Sequence, residues 1–223
     1  MEFKPADNIQ DLQYFGEFGG VNPSISDSST YTFLSAKTMF DTFEGNADGC
    51  YLYSRHSTPS NLYLGEALAA LEGTESANVY GSGMGAISSV ILQLCNHNEH
   101  MVSSRTIYGG TYAFLKKFGV NIIAVPTLEI PKQDFTNVKL VYMESPSNPL
   151  LDVINIQELA NKVHAKGALL AIDNTTSTPL GQQPLLLSAD ISVSSDTKAL
   201  NGHSDVLFGH VATQSDDVYE EMM

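Results

Sequence analysis

The sequence predicts an α/β protein with a mostly parallel sheet between helices. Short apolar runs such as NIIAV (121–125) and ALLAID (168–173) alternate with helical segments such as NIQELANKVHAKG (155–167). Helices that separate parallel strands cover both faces of the sheet, so such strands are apolar throughout. Of the 223 residues, 43% are hydrophobic and 16% are charged, which is typical of a globular protein with a large core.

The predicted elements follow one another from about residue 60. NLYLGEALAALEG (61–73) repeats apolar residues at helical spacing and ends at Gly73, a residue suited to cap a helix. The next predicted elements are a strand in ANVYGSG, a helix in MGAISSVILQLC, an extended HMVSS and a helix near TYAFLKKFG. The later segments are the strands NIIAV, VKLVYMES, ALLAID, ISVSS and VLFGHVAT, with the helix NIQELANKVHAKG ending at Gly167.

Two regions stand apart from this alternation. Residues 1–55 are rich in Ser, Thr, Gly and Phe and poorly periodic, which predicts an extended N-terminal arm before a large domain at 56–223. LLLSADISV (185–193) is apolar enough for a buried strand, so Lys198 is expected near the carboxyl end of a core strand. A lysine is costly to desolvate as a cation, which marks Lys198 for a partner or for chemistry.

Composition excludes several classes of function. The net charge of −14 argues against nucleic acid or an anionic membrane as the main partner. No apolar run approaches the roughly 18 residues of a membrane span, and the first ten residues lack the pattern of a signal peptide. Cys50 and Cys95 match no metal or redox spacing. We expect a cytoplasmic protein without a metal site.

Ligands of such folds collect at the carboxyl ends of the strands. There GSGMGAIS (81–88) follows a strand and opens a helix, so its backbone N–H groups form a ready anion site. A nicotinamide oxidoreductase is disfavoured, because the glycine spacing departs from the dinucleotide fingerprint and VSSRT offers no carboxylate to a ribose. A tight turn without a ligand stays open.

Other strand ends carry a buried acid, an amide and a lysine: Asp173, Asn148 and Lys198, the last beside the hydroxyls of Ser195 and Thr197. Taken alone, each of these residues could have a purely structural role; Asp173, for instance, could cap a turn. One ligand uses all of them, namely pyridoxal 5′-phosphate (PLP). The lysine forms a Schiff base, the acid pairs with the pyridinium nitrogen, and the glycine turn and hydroxyls hold the phosphate.

The sequence also resembles the Cys/Met metabolism PLP-dependent enzymes of fold type I. The matching segments, from about residue 51 to 213, are YLYSRHSTPS, GSGMGAIS, RTIYGGTYAFL, VYMESPSNPLLDV, LLAIDNTTSTP, SADISVSSDTKALNGHSD and VLFGHV. The resemblance implies that Lys198 is the Schiff-base lysine, that Asp173 pairs with the pyridine nitrogen, and that Tyr108 stacks on the ring and helps to protonate the leaving group. It also implies that Asn148 lies near the ring hydroxyl.

The resemblance assigns the phosphate to the backbone of Gly83 and Met84 and to the hydroxyls of Ser195 and Thr197. Further residues reach the phosphate of the neighbouring subunit, which implies a homodimer or homotetramer with shared sites; these are Tyr53 and Arg55. A structural role is expected for the remaining polar candidates, which are Glu144, His203 and Asp205.

The motifs GSGMGAIS and RTIYGGTYAFL look most like those of methionine γ-lyases, which favours γ-elimination from methionine or a related sulfur amino acid. Against this, such lyases typically carry a cysteine where this chain has Gly110, and STPS replaces their NPT. γ-Replacement of the cystathionine γ-synthase type is the alternative.

A non-catalytic remnant also stays open. Family members continue into a C-terminal domain with an arginine for the substrate carboxylate, whereas this sequence has only Arg55 and Arg105 and stops in SDDVYEEMM. We therefore expect a C-terminally truncated chain with negligible turnover by itself.

Overall fold

The structure, a computed structural model, describes residues 5, 19–33, 35–47, 49–119, 121–215 and 217–219. The strands of this part of the chain are β1 (Ser76–Tyr80), β2 (His100–Ser104), β3 (Asn121–Val125), β4 (Val138–Glu144), β5 (Leu169–Asp173), β6 (Ile191–Ser194) and β7 (Gly209–Thr213). They form one seven-stranded sheet within the described residues, in the order β1-β7-β6-β5-β4-β2-β3. Strand β7 runs antiparallel to both of its neighbours, and every other neighbouring pair is parallel. The predicted mostly parallel sheet is confirmed.

Four of the helices named here lie between strands along the chain, as the alternation predicts, and two precede the first strand. They are α1 (Ala36–Phe43), α2 (Pro59–Glu72), α3 (Gly83–Leu94), α4 (Gly109–Phe118), α5 (Ile156–His164) and the short α6 (Thr178–Gly181). Helix α2 begins at Pro59, and the Thr58 hydroxyl accepts the Asn61 N–H at 3.0 Å. It ends at Gly73, whose φ of 76° confirms the predicted glycine cap. None of the described helices has the length and apolar composition to cross a bilayer.

Two apolar layers enclose the sheet, and β4 shows how they are divided. Its side chains alternate, so Leu140 and Tyr142 belong to the layer with α3, while Val141 and Met143 belong to the layer with α5. All four are fully buried. Burial of each such aliphatic side chain contributes about 1.5–3 kcal/mol. The two covered faces hold the strand ends in fixed positions.

The segment LLLSADISV departs from its prediction as one buried strand. Leu185–Leu187 forms a 3-10 helix that begins after Pro184 and ends at Ser188, whose φ is 66°. The Ala189 N–H closes this turn on the carbonyl of Pro184 at 3.0 Å. Strand β6 therefore starts only at residue 191 and stops at 194. Lys198 lies four residues beyond the end of the strand.

The described part of the N-terminal segment contains one helix. Helix α1 begins where the Ser35 hydroxyl accepts the Thr38 N–H at 3.1 Å, and none of its residues is buried. The segment also contacts α2, because the Ser26 N–H donates to the Ser60 hydroxyl at 2.8 Å. The first 18 residues, apart from position 5, and residues 34 and 48 lie outside the described part. The domain division at residue 55 stays a prediction.

Candidate active site

The carboxyl ends of β4, β5 and β6 meet at one edge of the sheet. Glu144, the last residue of β4, pairs with Asp173, the last residue of β5. Asp173 in turn pairs with Val193 of β6. Because these strands are parallel, the segments that follow them leave the sheet on the same side. The structure thus brings together the strand ends that the sequence marked as a site.

Asp173 is a buried acid surrounded by neutral donors. Its carboxylate accepts the backbone N–H of Thr175 at 3.1 Å, the Thr175 hydroxyl at 2.6 Å and the Tyr142 hydroxyl at 2.9 Å. Burial raises the pKa of Asp173, while the hydrogen bonds from Thr175 and Tyr142 act in the opposite direction. None of these three donors is a cation, so the carboxylate has the chemistry to bind a cationic N–H group.

A hydrogen-bonded chain joins this acid to the segment that carries the lysine. The Thr175 hydroxyl, which donates to Asp173, also accepts the backbone N–H of Ser195 at 2.8 Å. One residue earlier, the Asn174 N–H donates to the carbonyl of Val193 at 2.8 Å. The end of β5 therefore fixes the backbone where β6 ends.

The start of α3 packs against the same strand end. The Ser82 hydroxyl caps the helix by accepting the Gly85 N–H at 3.0 Å, and the N–H groups of Gly83 and Met84 have no acceptor within the helix. A Cβ on Gly83 would lie 2.8 Å from the Cα of Ser195, and nearer still to its side chain. The glycine thus lets the helix terminus approach the Ser195 hydroxyl at the place where the sequence predicts an anion site.

Gly209 lies on the other side of this contact and likewise has no space for a side chain. A Cβ there would lie 2.7 Å from both the Gly83 Cα and the Ser194 carbonyl oxygen. Two glycines therefore allow close approach of the α3 terminus, β6 and β7.

Lys198 lies in an exposed turn after β6. Its N–H donates to the carbonyl of Ser195 at 3.1 Å, and its own carbonyl accepts the N–H of Gly202 at 3.0 Å. The side chain borders a cavity of about 540 Å³. The neighbouring Thr197 hydroxyl donates to the Phe208 carbonyl at 3.0 Å and accepts the Phe208 N–H at 3.1 Å. In this structure Thr197 closes the loop around the lysine.

Residues 201–205 stabilise the same loop. The Nδ1 of His203 lies 2.7 Å from the carbonyl oxygen of Asn201, whose side-chain amide donates to Asp205 at 2.8 Å. These contacts agree with the structural role expected for His203 and Asp205.

Glu144 connects two residues that the sequence assigned to the cofactor ring. Its carboxylate accepts the backbone N–H of Tyr108 at 2.5 Å and that of Asn148 at 3.0 Å. Burial raises the pKa of Glu144 to about 7, although both backbone hydrogen bonds oppose the shift. Both partners are exposed; Tyr108 keeps 49% of its surface accessible. Glu144 thus fixes the backbone beneath Tyr108 and Asn148.

Sequence reasoning gave Glu144 only a structural role. The available signal was its position, since it ends an apolar strand as Asp173 does. Its contacts were not readable, because Tyr108 is 36 residues away along the chain.

Tyr53 and Arg55 lie in a different part of the molecule. Both are exposed, and the Arg55 guanidinium carbon lies 5.0 Å from the centre of the Tyr53 ring. Arg55 borders a cavity of about 490 Å³ beside α2 and β1, separate from the cavity at Lys198. Their exposure is compatible with the predicted contact to a neighbouring subunit.

Comparison with known proteins gives the same picture as the geometry. Residues 8–223 match the family model described as Cys/Met metabolism PLP-dependent enzyme. A methionine gamma-lyase of Arabidopsis thaliana is 39% identical, over 98% of this chain and 52% of that protein. An O-succinylhomoserine sulfhydrylase of Pseudomonas aeruginosa is 37% identical, over 92% of this chain and 52% of that protein.

Solved structures share the fold. A cystathionine gamma synthase from Xanthomonas oryzae pv. oryzae, in complex with aminoacrylate and cysteine, matches with a TM-score of 0.86 at 30% identity, over 100% of this chain and 57% of that chain. The chain spans about half the length of the curated relatives it matches. The predicted fold type I architecture and the family resemblance are confirmed. The chain belongs to the Cys/Met metabolism PLP-dependent enzyme family.

Proposed function

We propose that this chain is the cofactor-binding part of an enzyme that breaks the carbon–sulfur bond of a sulfur amino acid by γ-elimination from methionine or a related substrate. The observation that carries the proposal is the buried Asp173 carboxylate, which has three neutral donors and lies beside the anion site and the lysine segment. The similarity to a methionine gamma-lyase supports the choice of substrate class.

The residues fit pyridoxal 5′-phosphate, the cofactor of the family. The ring nitrogen needs an anionic partner, which Asp173 supplies without a competing internal cation. The phosphate needs N–H donors, which the start of α3 supplies at Gly83 and Met84 together with the Ser195 hydroxyl. When bound, PLP accepts the electron pair that is released at the substrate's α-carbon.

The chain's own residues would divide the work as follows. Lys198 Nζ would hold the cofactor covalently and, once free, would remove a proton first from the substrate's α-carbon and then from its β-carbon. Asp173 would keep the ring nitrogen protonated. Tyr108 would cover the ring and protonate the leaving sulfur, Asn148 would lie near the ring hydroxyl, and Thr197 would contribute to phosphate binding through its loop.

The test is covalent trapping followed by product analysis. In this test the full-length chain means the present sequence continued by the C-terminal domain that the family resemblance predicts. Incubated with PLP, it should give a borohydride-fixed adduct that peptide mass mapping assigns to Lys198, and should release a 2-oxo acid, a thiol and ammonia from methionine. Lys198→Ala should lose the adduct, whereas the exposed control Lys166→Ala should keep it. An adduct at another lysine would contradict the assignment. An adduct without any turnover would support a non-catalytic binding role.

γ-Replacement is the second candidate, and Gly110 favours it. A Cβ at this position would lie 2.5 Å from Tyr108 Cε1 and 3.2 Å from Met84 Sδ, so the cysteine typical of methionine γ-lyases does not fit the present Tyr108 position. With O-succinylhomoserine and excess cysteine, replacement gives cystathionine, whereas elimination gives a 2-oxo acid. The ratio of the two products decides between the reactions.

We further propose a homodimer or homotetramer in which Tyr53 and Arg55 bind the phosphate at the neighbouring subunit's site. Their exposure and their separation from the Lys198 cavity support this. Arg55→Ala chains mixed with Lys198→Ala chains should regenerate sites with both groups and recover PLP binding. Mixtures that never exceed the separate variants would contradict the shared site.

A further inference from the structure

Three ionisable side chains form a continuous buried group beside the lysine segment: Glu72, His210 and Asp196, here called the buried triad. All three are fully inaccessible. His210 Nδ1 lies 2.8 Å from Asp196 Oδ2, and its Nε2 lies 3.1 Å from Glu72 Oε1. The Ser192 hydroxyl donates to the same Glu72 oxygen at 2.9 Å. The triad thus spans the space between three different elements.

The contacts define the charge of the imidazole. Ionised carboxylates only accept hydrogen bonds, so a ring with a carboxylate at each nitrogen donates from both and is protonated. Burial alone would lower the pKa of His210, but the hydrogen bonds to Asp196 and Glu72 and their negative charges raise it to about 10. The triad therefore contains one cation between two anions.

The three residues connect α2, β7 and the turn after β6 that carries Lys198. Glu72 ends α2, His210 lies on β7 next to Gly209, and Asp196 comes two residues before Lys198. The Asp196 carbonyl also accepts the Asn201 N–H at 3.0 Å. The Asp196 side chain and backbone together attach the lysine turn to the core.

The triad is a costly way to gain stability alone. Among the described residues, Glu72 Oε2 and Asp196 Oδ1 are buried without a hydrogen-bond partner, and apolar replacements of buried ion pairs are often as stable as the pairs. The hydrogen bonds of the triad are directional, however, so they can select one backbone conformation of the turn after β6. We propose that the buried triad positions Lys198: acting through Asp196, it holds the turn after β6 in the one backbone conformation that presents the lysine amine to the cofactor. The proposal rests on the proposed function, which takes Lys198 as the cofactor-bearing residue.

The experiment measures cofactor binding in the full-length chain. Asp196→Asn and His210→Gln should weaken PLP binding about tenfold or more, because a charged hydrogen bond that selects the competent conformation is lost. Visible absorbance measures the affinity, and visible circular dichroism per bound cofactor reports how rigidly the cofactor is oriented; its signal should fall as well.

A matched control lies at the opposite end of β6. His164 Nε2 is 2.8 Å from Asp190 Oδ2, one residue before the strand begins. His164→Gln removes the same kind of pair and should leave PLP affinity and the visible signal unchanged. If the single triad variants do not fold, the combined variant Glu72→Gln/His210→Gln/Asp196→Asn removes all three charges with similar shapes, and it should fold with weakened PLP binding.

The outcomes separate the two proposals. Folded triad variants that bind PLP with unchanged affinity and an unchanged visible signal would overturn the positioning role. A wild-type chain that binds PLP without an adduct at Lys198 would count against the proposed function, and with it against the triad's role. A wild-type adduct combined with unaffected variants counts against the triad alone.

Discussion

Two buried aspartates near the ends of adjacent strands have opposite surroundings. Asp173, at the end of β5, receives only neutral donors, from Thr175 and Tyr142. Asp196, just after β6, lies against the protonated imidazole of His210. Both carboxylates are inaccessible to water or nearly so. The two regions therefore bury the same functional group, but neutral donors surround the carboxylate of Asp173 and a cation lies against that of Asp196.

The difference separates architecture from chemistry. A buried carboxylate is costly unless a partner balances its negative charge. Where that partner is a cation of the protein itself, the pair has a structural role and the carboxylate is not available to a ligand. A buried anion with neutral donors keeps its charge available to a ligand. Under the proposed function, the Asp196 region therefore supports the site and the Asp173 region is part of it.

The largest expected effect on stability comes from His210→Leu. This change leaves two buried carboxylates without their cation, which should lower the free energy of unfolding by about 3–5 kcal/mol. Urea denaturation measures the loss, with His164→Gln as the control for a partly exposed pair. A loss no larger than that of the control would place the Asp196 region in the same class as the Asp173 region.

Asp173→Asn should have a small effect on stability and a large effect on turnover. Because no internal cation depends on this carboxylate, the free energy of unfolding should change by no more than about 1 kcal/mol. Turnover of the cofactor-loaded full-length enzyme should fall roughly 10²–10³-fold, since a group placed to stabilise developing charge is removed. Near-normal turnover in a well-folded variant would return Asp173 to a purely structural role.

The pH dependence of stability should fall in two windows. The pKa of His210 is raised from 6.5 to about 10, so its stabilisation is present below pH 6.5 and is lost as the pH rises through 10. The pKa of Glu144 is raised from 4.5 to about 7, so ionisation of Glu144 lowers stability between these values. Urea titrations across pH should show both declines. His210→Gln should flatten only the alkaline one, and Glu144→Gln only the acidic one.

The smallest effect is expected from Gly110→Ala, which fills space beside the Tyr108 ring. The added Cβ would lie 2.5 Å from the Tyr108 ring and must displace it. Stability should change by no more than about 1 kcal/mol, since alanine favours the helix over glycine by about that amount. Displacement of the Tyr108 ring, which is proposed to cover the cofactor, should weaken PLP binding modestly and raise the KM for the amino acid substrate. An unchanged KM would show that the Tyr108 ring does not border the substrate.

Much of the Asp173 region was predictable from the sequence. The apolar run before Asp173 marked a buried strand, and the helix after GSGMGAIS marked the anion site. Both signals are local, because periodicity and glycine turns act over a few residues. The 3-10 helix at Leu185–Leu187 escaped prediction, since a short apolar run does not by itself distinguish a strand from a helical turn.

The sequence alone predicted the alternation of strands and helices from about residue 60, the family, and which strand ends carry an acid, a glycine turn and a lysine. Only the tertiary structure decided the partners of the buried charges. Glu72 and His210 are 138 residues apart, and Glu144 and Tyr108 are 36 apart. Such pairs depend on strand order and on the packing of helices against the sheet, so no local pattern encodes them. Burial then makes each partner decisive, because a charge removed from water must be compensated by whichever groups the fold brings to it.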